Sequence, residues 1–93
     1  MKETPNSISI IIPVFNEEAG IKRIIPAFEN YLHQTALAVS ILFVNDGSTD
    51  SSLVQIKKVC TQYDFVNYIS FEKNAGLSAA IRAGFQTATT HWV

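Results

Sequence analysis

Two hydrophobic rhythms alternate along this chain. Ile8–Val14 (Ile-Ser-Ile-Ile-Ile-Pro-Val) and Val39–Val44 (Val-Ser-Ile-Leu-Phe-Val) are almost continuously apolar, as strands buried on both faces of a parallel sheet are. Val66–Phe71 (Val-Asn-Tyr-Ile-Ser-Phe) alternates more, which predicts a third strand nearer the sheet edge. Between these runs apolar residues return at helical spacing: Ile21, Ile24, Ile25, Phe28 and Leu32, then Leu53, Ile56, Cys60 and Tyr63, then Leu77, Ala80, Ile81, Gly84, Phe85 and Ala88. The spacing predicts helices over about Glu18–His33, over about Ser51–Tyr63 and from Leu77 onward. Pro26 removes an i to i−4 hydrogen bond, so the first helix is expected to bend or restart there. Met1–Asn6 reads as a tail, Gln34–Ala38 as a connector and His91-Trp92-Val93 as the opening of a fourth strand.

Strand and helix therefore alternate three times, with long crossovers. That order implies an α/β fold: a parallel, Rossmann-like sheet of three strands plus the start of a fourth, with three helices and right-handed connections. Ala79, Ala80, Ala83 and Gly84 make one face of the third helix small, which allows close packing on the sheet.

In open α/β sheets ligands bind beyond the carboxyl ends of the strands. Asp46 stands at such an end, in Val44-Asn45-Asp46-Gly47-Ser48-Thr49-Asp50, where Thr49 or Asp50 can cap the following helix. A carboxylate there can accept the ring N–H of a nucleobase or a ribose hydroxyl; equally, it can shape the loop as an Asx-turn. Pro13-Val14-Phe15-Asn16-Glu17 ends the first strand. It fits the floor of a nucleotide cleft flanked by Glu17, and it fits ordinary capping of the next helix by Asn16. Asn74-Ala75-Gly76-Leu77-Ser78 opens the third helix, whose first N–H groups suit a phosphate or a plain turn. The spacing is neither the dinucleotide glycine pattern nor a P-loop. Arg82 either offsets phosphate charge or lies on a solvated helix face.

Composition narrows the picture. Ninety-three residues suit one small domain, 1–93, and 47% hydrophobic with 16% charged residues is a globular balance. A net charge of −1 gives no electrostatic basis for a nucleic-acid partner. Cys60 is the single cysteine; its place on an apolar helix face reads as packing, and the absence of a second thiol favours a reducing, cytoplasmic compartment. The apolar run Ile8–Phe15 is too short to span a bilayer. His33 and His91 lack companions at metal-ligand spacing.

Three segments together resemble the N-terminal part of family 2 inverting glycosyltransferases of the GT-A fold: Ile10–Glu18, Val44–Asp50 and Asn74–Phe85. Among members the chain looks most like the polyprenyl-phosphate sugar transferases. The resemblance implies transfer of a sugar from a nucleotide-diphosphate-sugar donor to an acceptor. It implies that Pro13, Phe15, Asn16 and Glu17 line the base and ribose site, that Asp46 holds the base, and that Gly47 and Ser48 belong to the same nucleotide-binding loop. Phe15 stands where the family often has Tyr, and Asn45-Asp46 where it usually has an Asp pair. The family's Asp-x-Asp motif, which positions magnesium or manganese on the donor diphosphate, would follow a fourth strand, so the chain is expected to be a truncated GT-A fold. It is expected to hold no metal firmly, to carry no catalytic residue and to transfer no sugar by itself. A membrane or lipid acceptor belongs to the full-length protein only. The alternative is a non-catalytic nucleotide-binding or self-assembling module, in which an uncovered edge of the first strand pairs with a second copy.

Overall fold

The computed structural model describes residues 7–32 and 38–92. The elements run β1 (Ser7–Val14), α1 (Glu18–Leu32), β2 (Ala38–Asp46), α2 (Ser52–Gln62), β3 (Val66–Phe71) and α3 (Leu77–Trp92). All three strands are parallel, in the order β1-β2-β3. β2 is the central strand, and Ile41, Leu42, Phe43 and Val44 are accordingly buried. Val14, Ile21, Ile41, Phe43, Ile56, Val59 and Val66 form the core between the sheet and the layer of α1 and α2. Cys60 packs against that core, and burial pushes its thiol pKa up, in keeping with a packing role.

α3 covers the opposite face, against β1 and β2. A methyl group on Gly84 would come within 2.5 Å of Ile11 Cγ2 and 3.0 Å of Val44 Cγ2. The helix lies this close because Gly84 has no side chain.

Two expectations need correction. α3 continues through His91 and Trp92, so these residues do not open a fourth strand. No Gly or Pro follows Gly84 to end the helix, and hydrogen bonding carries it on. β2 includes Asn45 and Asp46, paired in register with Ser70 and Phe71. Asp46 is thus the last residue of a strand rather than part of a loop, because β3 extends far enough to give it a ladder partner. α1 runs as one helix through Pro26, close to the expected bounds; the ring is on an exposed position, and of the two outcomes expected there a restart does not occur. The expected tail Met1–Asn6, His33, the connector residues 34–37 and Val93 lie outside the described residues.

Candidate functional site

Parallel strands deliver three loops to one end of the sheet: 15–17 after β1, 47–51 after β2 and 72–76 after β3. The first two are clasped together by Asn16. Its backbone is left-handed, φ 53°, and this turns the side chain toward the second loop. Asn16 Oδ1 accepts the Thr49 N–H at 2.8 Å, the Asp50 N–H at 3.3 Å and the Thr49 hydroxyl at 3.4 Å. In return the Asn16 N–H donates to Ser48 Oγ at 3.0 Å, and the Glu17 N–H donates to the buried Ser52 Oγ at 2.9 Å. Asn16 therefore does not cap its own helix: its acceptor is already committed across the loops. At the start of α2 the N-cap residue, Ser51, makes no side-chain bond; Asp50, one residue earlier, serves the helix end instead, its Oδ1 accepting the Ser52 N–H at 2.8 Å.

The second and third loops are held by Asp46, 4% exposed. Oδ1 accepts the Ala75 N–H at 2.6 Å, and Oδ2 accepts the Gly76 N–H and Asn74 Nδ2, both at 3.0 Å. Asn74 Nδ2 also reaches the Asp46 carbonyl oxygen at 3.2 Å. Next to it Gly47, at φ 69°, has no room for a side chain, since a Cβ would overlap the backbone of Lys73 and Asn74. Two of the N–H groups before α3 thus go to a carboxylate of this chain rather than to an outside phosphate.

Behind these contacts lies a cleft of about 320 Å³, lined by Pro13 and Val14 at the end of β1, Phe15 from the first loop, Asp46, Asn74 and Gly76 from the third loop, and Leu77 at the start of α3. Three of the seven residues read from sequence, Pro13, Phe15 and Asp46, meet in this cleft. Glu17 lines a neighbouring apolar hollow with Ile12, Gly20, Ile21 and Phe43, which shares Pro13 and Val14 with the cleft. Asn16 and Ser48 hold loop to loop, and Gly47 gives the close approach that brings Asn74 to Asp46. Arg82 is exposed and does not line the cleft. Asn74, Gly76 and Leu77 were legible only as a helix start. Their approach to Asp46 is a contact across 28 to 30 residues, for which local sequence carries no signal. Among the described residues, no three His, Cys, Asp or Glu side chains are grouped to hold a metal ion.

The family profile described as Glycosyl transferase family 2 matches residues 9–93. A Bacillus subtilis (strain 168) protein provisionally named glycosyltransferase CsbB is 43% identical over 79 residues, covering 85% of this chain and 24% of its own length. The dodecaprenyl-phosphate galacturonate synthase of Rhizobium johnstonii is 33% identical over 86 residues, covering 87% of this chain and 24% of its own length. The chain thus spans about a quarter of the length of the curated relatives it matches. A solved mannosyltransferase from Pyrobaculum calidifontis, in complex with GDP-mannose and Mn2+, shares the fold with a TM-score of 0.70 at 15% identity, over 92% of this chain and 25% of that one.

Proposed function

The chain belongs to Glycosyl transferase family 2, and from that premise we infer that it supplies the donor-nucleotide half of an enzyme that moves a sugar from a nucleotide-diphosphate-sugar to an acceptor. One observation carries this reading: the ends of β1 and β2 meet in a single cleft that has Phe15 on one wall and Asp46 on another. The aromatic side chain, 46% exposed, offers a face for a base, while the polar edge lies at the strand ends, where α/β sheets bind ligands. Asn16, Glu17, Gly47 and Ser48 serve the nucleotide from behind, by fixing the loops that border the cleft.

A polyprenyl phosphate is the acceptor class this reading favours, supported by a relative named for dodecaprenyl phosphate and by one from Shigella phage SfV named bactoprenol glucosyl transferase. No described helix is long and apolar enough to cross a membrane, and the reading places this segment on the cytoplasmic side, where its thiol stays reduced. Magnesium or manganese on the donor diphosphate would neutralise the departing nucleoside diphosphate when bound. Among the described residues no three His, Cys, Asp or Glu side chains are grouped to hold it.

Titration of the purified chain with UDP and GDP, followed by backbone amide shifts, tests this. Shifts concentrated at residues 14–16 and 74–77 that vanish in Asp46→Ala are expected. A wild-type spectrum unchanged by either nucleotide overturns the reading.

A second reading rests on a different observation. β1 is an edge strand among the described residues, carries no charged residue and borders an apolar hollow lined by Ile10, Ile24, Ala27 and Phe28. Such an edge invites pairing with a second copy. Sedimentation showing a monomer at high concentration argues against it.

A further inference from the structure

Phe15 is a wall of the cleft, yet it is half-exposed, so burial alone does not hold it in place. The residues that follow it do. Asn16 is left-handed at φ 53° and α1 begins at Glu18, which turns three successive N–H groups toward the segment after β2. Successive N–H groups in such a turn make a concave nest for an anion or an acceptor oxygen. This chain fills the nest itself. The Asn16 N–H donates to Ser48 Oγ at 3.0 Å, the Glu17 N–H to Ser52 Oγ at 2.9 Å, and the Glu18 N–H to the Asp50 carboxylate.

Ser52 is at the centre of this arrangement. It is fully buried, and a hydroxyl has one proton to give besides its acceptor lone pairs. A lone pair takes the Glu17 N–H, and the proton goes to Asp50, whose Oδ1 also accepts the Ser52 N–H at 2.8 Å. Asp50 is tied back to the first loop through its own N–H, which Asn16 Oδ1 accepts at 3.3 Å. Each peptide unit is planar. Holding the Asn16 N–H therefore orients the unit that carries the Phe15 carbonyl, and holding the Glu17 N–H orients the next. Ser52 itself does not line the cleft; it acts through the backbone of the first loop.

We propose that Ser52, backed by Asp50, is the positioning residue for the Phe15 wall, holding the loop after β1 in its ligand-binding place before a ligand arrives. This rests on the nucleotide-sugar reading of the same cleft. A loop that spends part of its time elsewhere lowers the apparent affinity by the fraction that is competent, and ordering it during binding costs affinity as well. The N-terminus of α2, which does not border the cleft, thus sets how tightly the cleft binds.

The purified chain and its Ser52→Ala, Phe15→Ala and doubly substituted variants are titrated with UDP and GDP. Ser52→Ala should weaken the tighter-binding nucleotide about fivefold. In the Phe15→Ala background the same change should cost less than about twofold, because the wall it positions is gone. Ile56→Val, a substitution in the buried core that lowers stability without touching either loop, should bind within about twofold of wild type. Without ligand, hydrogen exchange at Glu17 should be faster in Ser52→Ala than in Ile56→Val, with Ala75 and Gly76 alike in both. Unchanged affinity in Ser52→Ala, a loss that persists undiminished without Phe15, or an equal loss in Ile56→Val overturns the positioning role and leaves the nucleotide cleft standing. Where Phe15→Ala binds too weakly to measure, Glu17 exchange decides: a rate no faster than in Ile56→Val overturns the proposal. Should Ser52→Ala not fold, Asp50→Ala takes its place under the same criteria. If the wild-type chain binds neither nucleotide, the nucleotide reading itself fails and takes this inference with it.

Discussion

Asn16 and Thr49 lie 33 residues apart, yet the side-chain oxygen of one accepts the backbone N–H of the other at 2.8 Å. The bond joins the loops after β1 and β2, and it depends on the left-handed backbone at Asn16, φ 53°. Asparagine tolerates that conformation better than most residues do. Two substitutions separate the clasp from the backbone. Asn16→Gly loses the hydrogen bonds and keeps an easy left-handed turn. Asn16→Ala loses both, and should be less stable than Asn16→Gly by about 0.5–1 kcal/mol. Urea midpoints of the three proteins measure this. An alanine variant as stable as the glycine variant would mean the turn is not under steric control.

Asp46→Ala is expected to cost roughly 2–4 kcal/mol, because it strips a charged acceptor from two backbone N–H groups and an amide at once. Its signature is local as well as global: hydrogen exchange at Ala75 and Gly76, whose N–H groups Asp46 holds, should accelerate more than at the core residues of β2. Exchange that rises evenly across the chain would show Asp46 supporting the whole fold rather than the third loop.

These contacts mark where the sequence stopped being informative. Strand and helix periodicity located β1, α2, β3 and the start of α3 to within a residue or so, because each buries a regular apolar face. The far end of α3 was misread, since His91 and Trp92 look strand-like only in isolation and the helix has nothing to stop it. At the site, the tips of β1 and β2 could be brought together from topology alone, which placed Pro13, Phe15 and Asp46 in one cleft. That Asn16 serves as a clasp and Asn74 as a wall could not be read the same way. Both roles depend on side chains meeting across about 30 residues, and an asparagine in a loop looks like a cap wherever it occurs.

Gly47 and Gly84 both leave no space for a methyl group, but for different reasons, and this predicts different responses. At Gly84 the obstruction is the Ile11 and Val44 side chains, which have some freedom to yield. Gly84→Ala should cost about 1–3 kcal/mol, and Ile11→Ala in the same chain should relieve part of it, with a coupling of about 1 kcal/mol in a double-mutant cycle. At Gly47 the obstruction is the backbone of Lys73 and Asn74, and φ is 69°. Gly47→Ala should leave no cooperative unfolding transition or displace the third loop. No single side-chain truncation should rescue it.

Asp50 gives a prediction in pH. Interaction with the Ser52 side chain holds the Asp50 carboxyl below the ordinary aspartate value against the opposing effect of desolvation, with a further contribution from the Ser52 N–H at 2.8 Å. The charge also faces the N-terminus of α2, where the helix dipole favours an anion. A group whose pKa is lower folded than unfolded stabilises the protein above its unfolded value, and that contribution is lost as pH falls through the folded value. Asp50→Asn keeps the oxygen that accepts the Ser52 N–H and removes only the charge. It should be slightly less stable than wild type at pH 6, and the gap should begin to shrink near about pH 4, where the unfolded-state carboxyl starts to protonate, and close as pH falls through the lower folded value. Because the carboxylate is solvent-accessible, the difference should shrink when salt is raised at pH 6. Urea midpoints from pH 6 to pH 2.5 at low and high salt test both trends. A gap that persists unchanged to pH 2.5 would assign the effect to the altered side chain rather than to its charge, and Asp50 would then be an ordinary neutral cap.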